Sequence, residues 1–118
     1  DVVAFENCSG VKEKKLFVDE TKDPIDAITE KYLNVNCSVM TPNTNRLKDI
    51  GEMIDEYQVD GVVEVVLQAC HTYSIEAYTV KNYVKNEKKK PYLYIETDYS
   101  EFDTGQLNTR LNAFIEIL

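Results

Sequence analysis

The sequence contains three cysteines and one histidine, the side chains best suited to bind a metal or to act as a nucleophile. Cys70 and His71 are adjacent and follow the aliphatic run VVEVVL, whereas Cys8 and Cys37 lie far from them in the sequence. Thiolates are the ligands of iron-sulfur clusters, and a helix that begins after Cys70 would favour its thiolate form. Three cysteines that met at one place would therefore suit iron-sulfur ligation.

Other chemistries fit these residues less well. Zinc is disfavoured because there is no Cys-x-x-Cys or His-x-x-x-His pair, and a Cys70–His71 dyad is disfavoured because adjacent side chains at a strand end point to opposite sides. The four glycines form no dinucleotide fingerprint, phosphate-binding loop or Gly-x-Ser-x-Gly elbow. A buried cysteine can also be an inert small hydrophobe. The residues alone leave two interpretations of Cys70 open, an inert thiol or a cluster ligand.

The apolar pattern predicts the elements that must position these residues. We predict strands and helices that alternate along the chain. The first half contains a strand over Val2–Phe5, a helix from Asp23-Pro24 to near Asn34, a loop over residues 35–42 and a helix from Asn45 that ends before Asp60-Gly61. The second half contains a strand over Val62–Leu67, a helix over Tyr73–Glu87, a strand over Pro91–Ile95 and a last helix opened by Asp103 and Gln106 as a capping box. This alternation predicts an α/β domain, a three-layer Rossmann-like or flavodoxin-like fold with a mainly parallel sheet.

The same pattern predicts which side chains face the core. The continuous aliphatic run of Val62–Leu67 indicates a central strand with both faces covered. The lysines at 88–90 are expected to be a solvated helix end rather than a binding patch. The predicted inward helical residues are Ile25, Ile28, Tyr32 and Leu33; Leu47, Ile50, Met53, Ile54 and Tyr57; Ala77, Val80 and Val84; and Leu107, Leu111, Phe114, Ile115 and Leu118.

Polar clusters follow the three predicted strands. In parallel α/β sheets ligands bind beyond the carboxyl ends of the strands, so these clusters are expected to share one edge of the sheet. Cys37 would join them if its loop folds back across that edge. The clusters are Glu6-Asn7-Cys8-Ser9, Gln68-Ala69-Cys70-His71 and Glu96-Thr97-Asp98-Tyr99.

Composition limits the class of protein. The 118 residues suffice for one domain, and the chain is expected to be a fragment of a longer protein, since Val2 already lies in an apolar run. A net charge of −8 argues against a nucleic-acid partner, and no apolar run is long enough for a membrane span. Three widely spaced cysteines argue against a secreted disulfide framework and favour the cytoplasm.

Four stretches together resemble one enzyme family. They are VVAFENCSG, NCSVMTPNTNRL, DGVVEVVLQACHTYSIEA and PYLYIETDYSEFDTGQLNTRLNAFIE. They resemble the carboxy-terminal half of the 2-hydroxyacyl-CoA dehydratase and benzoyl-CoA reductase family, which includes component D of 2-hydroxyglutaryl-CoA dehydratase. The most specific pieces are Gln-Ala-Cys-His and the stretch from Glu-Thr-Asp-Tyr to Gly-Gln-Leu-x-Thr-Arg. The resemblance implies that residues 1–118 are the carboxy-terminal α/β lobe of a two-lobed subunit, without its amino-terminal lobe.

The resemblance also implies a cofactor and a role for each cysteine. Family members are oxygen-sensitive cytoplasmic enzymes of anaerobes that hold a 4Fe-4S cubane between two lobes, and Cys70 is the best-matched ligand. Cys8 and Cys37 are additional to the usual pattern and resemble the double-cubane variant. Asn7, Ser9, Gln68 and His71 would then lie near the cluster, and Glu96, Asp98 and Tyr99 would line the cleft between the lobes. The isolated fragment is expected to hold no native cluster and to be inactive.

The implied reaction needs partners. An ATP-hydrolysing iron-sulfur activator would deliver a low-potential electron, and the subunit would pair with a second dehydratase-type subunit or with its own copy. Dehydratase members are lyases that remove water from a 2-hydroxyacyl thioester, whereas double-cubane members are oxidoreductases that reduce small molecules.

Two other functions remain open from the residues. One is a flavodoxin-like or receiver-like module that binds a small ligand, although only Glu6 matches the acidic pattern of receiver domains. The other is a dimerisation lobe that uses an exposed sheet edge. In both the cysteines are incidental, so convergence of the three sulfur atoms would separate the redox function from these two.

Overall fold

The structure, a computed structural model, describes residues 1–7, 12, 15–100 and 102–118. These residues form two compact units, Asp1–Ile50 and Gly51–Leu118. No helix in the described ranges is both long enough and apolar enough to cross a membrane. The elements in chain order are α1 (Pro24–Leu33), α2 (Thr44–Glu56), β1 (Val62–Leu67), α3 (His71–Asn82), a π-helical turn (Tyr83–Glu87), β2 (Tyr92–Thr97) and α4 (Thr104–Ile115). The predicted α/β class is confirmed.

Strands β1 and β2 form a parallel pair, as predicted. Val62 is opposite Tyr92 and Leu67 is opposite Thr97. The predicted bounds of β1 are confirmed, whereas β2 begins one residue later than predicted and continues two residues further. Pro91 still contributes to the pairing, because its carbonyl accepts a hydrogen bond from Val62 N at 2.9 Å.

One face of this sheet packs against α3. On that face Val66 is buried, and the hydroxyl of Tyr92 donates to the carboxylate of Glu64. The same hydroxyl lies 3.4 Å from the carbonyl oxygen of Ala77 in α3. The predicted inward residues of this region, Ala77, Val80 and Val84, are all buried.

The opposite face of β1 is uncovered. Val63, Val65 and Leu67 are 39%, 60% and 40% exposed. The prediction of a central strand covered on both faces is therefore wrong for the described residues, in which β1 pairs with β2 alone. Aliphatic continuity indicates that a strand needs apolar neighbours on both faces, but it does not say which residues supply them.

The segment Val2–Phe5 is not a strand, which corrects the prediction for this segment. It has no regular secondary structure, and Val2, Val3 and Phe5 are exposed. A strand exists only where its backbone groups find a hydrogen-bonded neighbour. Within the described ranges only β1 and β2 pair in this way.

Helix α1 begins as predicted but does not bury the predicted face. Asp23 accepts hydrogen bonds from Ile25 N at 3.0 Å and from Asp26 N at 3.4 Å, with proline at the first helical position. Asn34 caps the carboxyl end. Only Ala27 is buried, while the predicted inward residues are exposed: Ile25, Ile28, Tyr32 and Leu33.

Helix α2 buries Ile50, Met53 and Ile54, as predicted, but Tyr57 is exposed. The helix is followed by a Schellman motif. Val59 N donates to Ile54 O at 3.0 Å, and Gln58 N donates to Asp55 O at 3.4 Å. Gln58 has a φ of 50°, the left-handed conformation that favours glycine at this position.

We expect Gln58→Gly to raise the free energy of unfolding by about 0.5–1 kcal/mol. Glycine adopts the left-handed backbone conformation without the steric cost that glutamine has there. This gain outweighs the larger conformational entropy that glycine loses on folding. Urea unfolding measures the change. Gln106→Gly in the first turn of α4 is the matched control, since it should lower stability by up to about 1 kcal/mol. Equal destabilisation by both substitutions would contradict this account of Gln58.

The π-helical turn after α3 packs closely on Gly51. A Cβ atom at Gly51 would collide with the hydroxyl of Tyr83 and lie 2.8 Å from Lys88 Cε. Lys88 Nζ in turn donates to Asp55 Oδ2 at 2.6 Å, and this hydrogen bond raises the pKa of Lys88. Lys88 is thus half-buried and paired, which corrects the expectation of a fully solvated lysine end, whereas Lys89 is exposed.

We expect Gly51→Ala to lower the free energy of unfolding by about 1–3 kcal/mol, because the added methyl group must displace the Tyr83 ring. Gly105→Ala, where a Cβ would meet nothing within 4 Å, should instead stabilise α4 by about 0.5–1 kcal/mol. Thermal unfolding of the two variants provides the comparison. A Gly51→Ala protein as stable as Gly105→Ala would show that Tyr83 moves aside freely.

Helix α4 begins after Asp103, but the predicted capping box is wrong. The Asp103 side chain makes no capping hydrogen bond, and its Oδ2 lies 3.3 Å from Thr97 Oγ1 at the end of β2. Phe114 is buried and Leu107 and Leu111 are half-buried, as predicted. Ile115 and Leu118 are exposed, which corrects the prediction for the end of this helix.

Candidate functional site

The carboxyl ends of β1 and β2 meet at one edge of the second unit. The two strands end in register, and Gln68 N donates to Thr97 O at 2.7 Å just beyond the last pair. Two of the three polar clusters from the sequence, residues 68–71 and 96–99, are therefore neighbours. Of the third cluster, Asn7 belongs to the first unit, and Cys8 and Ser9 lie outside the described residues.

A tight turn places Cys70 at this edge. Cys70 N donates to Leu67 O at 2.9 Å, and Ala69 has a φ of 65°, as the third residue of a type II turn requires. Cys70 is the N-cap residue of α3, and its carbonyl accepts a hydrogen bond from Ser74 N at 3.0 Å. The strand thus passes directly into the helix, with the cysteine at the junction.

The Cys70 thiol is half-exposed and free of a disulfide. Its Sγ atom lies 3.8 Å from Thr72 Oγ1, and it makes no capping hydrogen bond to the helix. His71 is exposed, and its backbone N donates to Ala69 O at 3.0 Å. The thiol's hydrogen-bonding neighbour is thus the hydroxyl of Thr72, a residue that the sequence analysis did not single out.

Asp98 stabilises the turn that follows β2, whereas Glu96 lies near the carboxyl end of the strand itself. Asp98 Oδ1 accepts a hydrogen bond from Ser100 N at 2.7 Å, and hydrogen bonding to Ser100 holds the pKa of Asp98 below its ordinary value. Glu96 Oε2 lies 3.4 Å from the Tyr94 hydroxyl. Tyr99 is 92% exposed, so its ring is available to a partner surface rather than to the core of this unit.

Cys37 belongs to the first unit, in the predicted loop after α1. Its backbone N donates to Val35 O at 2.8 Å, and its carbonyl accepts hydrogen bonds from Met40 N at 3.0 Å and Asn43 Nδ2 at 2.7 Å. The side chain is half-buried and free of a disulfide. The loop that carries Cys37 is therefore ordered by its own hydrogen bonds.

Cys70 fits a role as one ligand of an iron-sulfur cluster. It is a thiol at an accessible edge, it begins a helix whose amino end favours negative charge, and its sulfur is not used to cap that helix. A cubane takes four cysteine ligands. Within the described part of the chain, no group of three or more His, Cys, Asp or Glu side chains could hold a metal ion. The described residues therefore supply one suitable ligand and not a complete site.

Glu6 has a structural role that the sequence analysis missed. Its carboxylate accepts hydrogen bonds from Arg46 Nε at 3.2 Å and Arg46 Nη2 at 2.9 Å and forms an ion pair with Lys12. Burial raises the pKa of Glu6, but hydrogen bonds and charge from Arg46 and Lys12 outweigh it and leave the pKa below its ordinary value. Because this carboxylate is paired inside the first unit, a receiver-like role for it is disfavoured.

The first unit also contains an open cavity of about 410 Å³. Its carboxylates already have protein donors. Glu30 Oε2 lies 2.5 Å from Lys22 Nζ, and Asp49 Oδ2 accepts a hydrogen bond from Asn36 Nδ2 at 2.6 Å. The cavity contains none of the site residues proposed from the sequence, so it adds no support to the small-ligand hypothesis for the sheet edge.

Comparison with known proteins shows similarity along the entire chain. The family model for the 2-hydroxyglutaryl-CoA dehydratase D-component matches residues 1–118. The chain is 53% identical over 117 residues to the Escherichia coli (strain K12) protein named "Putative dehydratase subunit YjiM". The match covers 99% of this chain and 30% of that protein, so the chain spans less than a third of this curated relative.

Proposed function

Since the chain belongs to the 2-hydroxyglutaryl-CoA dehydratase D-component family, we propose that it is the carboxy-terminal lobe of a 2-hydroxyacyl-CoA dehydratase-like subunit. In this proposal the lobe contributes cysteine ligands to an iron-sulfur cluster, and the amino-terminal lobe contributes the others. The observation that supports it most directly is the position of Cys70. Its half-exposed thiol lies at the carboxyl edge of a parallel sheet and at the start of α3, where α/β proteins bind their ligands.

The environment of Cys70 suits a thiolate ligand. The amino end of α3 carries a partial positive charge, which stabilises a negatively charged sulfur. The partial exposure of Cys70 leaves room for ligands from another lobe. When bound, an iron-sulfur cluster supplies low-potential electron transfer, while the protein provides ligands, hydrogen bonds and a cavity that excludes water.

Neighbouring residues have supporting roles in this proposal. Gln68 and His71 flank the ligand, and the exposed acids and aromatic ring of residues 96–99 form the wall of a cleft that faces the other lobe. Cys8 and Cys37 are the additional ligands of a double-cubane variant. The side chains that we propose for the wall of this cleft are Glu96, Asp98 and Tyr99.

The complete protein is proposed to act with partners in the cytoplasm of an anaerobically growing cell. These partners are an ATP-hydrolysing iron-sulfur activator and a second dehydratase-type subunit or a second copy. With a single cubane the protein would be a lyase acting on a 2-hydroxyacyl-CoA thioester, and with a double cubane it would be a reductase. The fragment by itself is expected to be inactive, because a cubane needs more thiolates than the Cys70 edge provides.

A second candidate function is a protein-interaction lobe with incidental cysteines. The exposed apolar face of β1, formed by Val63, Val65 and Leu67, favours it. On this hypothesis the loss of any cysteine would leave the metal content of the protein unchanged.

Iron and acid-labile sulfide content of the full-length protein, purified without oxygen, tests the proposal, together with electron paramagnetic resonance. We expect Cys70→Ser to abolish cluster binding, because serine is a poor replacement for a thiolate ligand. Ser74→Ala, an exposed substitution in α3, is the control and should retain wild-type iron.

The other two cysteines distinguish the cluster types. If Cys8→Ser and Cys37→Ser also lower iron content, the double cubane is supported. If only Cys70→Ser lowers it, the protein holds a single cubane. Iron content that is unchanged in all three variants would refute the proposed function and favour the interaction lobe.

A further inference from the structure

We propose that Thr72 is a positioning residue, whose hydroxyl donates a hydrogen bond to Cys70 Sγ and thereby raises the reduction potential of the cluster that Cys70 ligates. This inference rests on the proposed function. The reduction potential of the cluster can be measured apart from enzyme activity.

The geometry places the hydroxyl beside the sulfur. Thr72 Oγ1 lies 3.8 Å from Cys70 Sγ, within reach of a hydrogen bond to the large sulfur atom. Thr72 is the second residue of α3 and is half-buried, so its side chain is constrained by the first turn. A metal-bound thiolate has no proton to donate, whereas a hydroxyl can donate. In the cluster-bound protein Thr72 must therefore be the donor.

The position of Thr72 in the helix explains why its hydroxyl meets the sulfur. A threonine inside a helix commonly donates to the carbonyl four residues earlier. Thr109 in α4 does this, with its Oγ1 2.9 Å from Gly105 O. For Thr72 the corresponding residue, Gln68, precedes the helix and belongs to the turn after β1. The hydroxyl instead lies against the side chain of the N-cap residue, Cys70.

The sulfur is open to this interaction because it does not cap the helix. An N-cap side chain usually accepts a hydrogen bond from a backbone N–H in the first turn. Cys70 makes no such bond. The sulfur could therefore accept a hydrogen bond from the Thr72 hydroxyl while it ligates a metal.

A donor beside a ligand sulfur favours the reduced cluster. Reduction adds negative charge, which spreads onto the sulfur atoms, and a hydrogen bond stabilises that charge more strongly than it stabilises the oxidised form. Loss of the donor should therefore lower the reduction potential while leaving the ligand in place.

The experiment is a redox titration followed by electron paramagnetic resonance on the anaerobically purified full-length protein. We expect Thr72→Val to lower the equilibrium constant for one-electron reduction on the order of threefold to tenfold, or roughly 30–60 mV. Thr72→Ser, which keeps the hydroxyl, should remain near the wild-type potential. Thr79→Val changes an exposed threonine of the same helix and should have no effect.

The outcomes separate this inference from the proposed function. Wild-type protein without iron and sulfide would overturn both. A cluster that is present in all variants at one common potential would overturn only the role of Thr72, as would equal shifts in Thr72→Val and Thr72→Ser. If Thr72→Val loses iron and Thr72→Ser retains it, the hydroxyl is needed to hold the ligand, which overturns its proposed role in setting the potential of a cluster that stays bound.

Discussion

Replacement of Glu6 by glutamine is expected to lower the free energy of unfolding by about 3–5 kcal/mol. The substitution removes the charge that Arg46 faces, and Arg46 is only 3% exposed. Loss of the Glu6 charge removes the attraction that offsets much of the cost of burying the Arg46 guanidinium away from water. Lys12 also pairs with Glu6, so the substitution would remove the negative charge that balances the two cations Lys12 and Arg46.

The same pair predicts how stability depends on pH. The pKa of Glu6 in the folded protein is below its ordinary value of 4.5. A carboxyl group of this kind contributes stability that is fully present above the unfolded pKa and is lost as the pH falls through the folded pKa. The wild-type protein should therefore lose this contribution progressively below about pH 4.5, and Glu6→Gln should lack it at every pH.

Urea unfolding at pH 7 and at steps from pH 5 to pH 3 measures both effects. Glu20→Gln is the matched control in the same unit, because Glu20 is exposed. It should remain within about 0.5 kcal/mol of the wild type at pH 7. If Glu6→Gln unfolds at the wild-type urea concentration and keeps the wild-type pH dependence, the ion pair does not stabilise the fold.

Phe114→Ala is expected to lower the free energy of unfolding by about 3–5 kcal/mol. The ring is 6% exposed and packs against the turn before β1, since its Cζ lies 2.7 Å from the point where a Cβ on Gly61 would be. Removal of the ring would leave a cavity between α4 and this turn. The loss combines the transfer free energy of the ring with the cost of that cavity.

Phe102→Ala is the control for Phe114, because the same substitution is made on a ring that is fully exposed. It should change stability by no more than about 0.5 kcal/mol. Thermal unfolding of the two variants at one protein concentration makes the comparison. Equal losses in both would show that Phe114 is not part of the core of the second unit.

The predictions that succeeded rest on local signals. The Asp23-Pro24 pair marks the start of α1 because capping involves only the next few residues. The bounds of β1 follow from a β-branched run between Gly61 and the turn at Ala69. The neighbouring positions of residues 68–71 and 96–99 follow from parallel pairing, which aligns the carboxyl ends of adjacent strands.

The predictions that failed depend on residues distant in sequence. Apolar spacing identified Ile25, Ile28 and Leu33 as one side of α1, yet that side is exposed, because no described residue covers it. The same discrepancy occurs in β1, which is predicted to be covered on both faces but exposes Val63, Val65 and Leu67. An apolar stripe indicates that a surface favours apolar neighbours, but it does not say which residues supply them, and the match covers 30% of the curated relative YjiM.

The α/β class, most element bounds and the family follow from the residue pattern, because helix caps, strand runs and motifs are properties of short segments. The partners of individual polar side chains depend instead on the folded structure. Glu6 pairs with Arg46 across 40 positions, Asp103 faces Thr97 instead of capping α4, and the Thr72 hydroxyl lies beside the Cys70 sulfur. Each choice depends on which donor the folded backbone brings within about 3–4 Å of an acceptor, and neither residue type nor spacing encodes that distance.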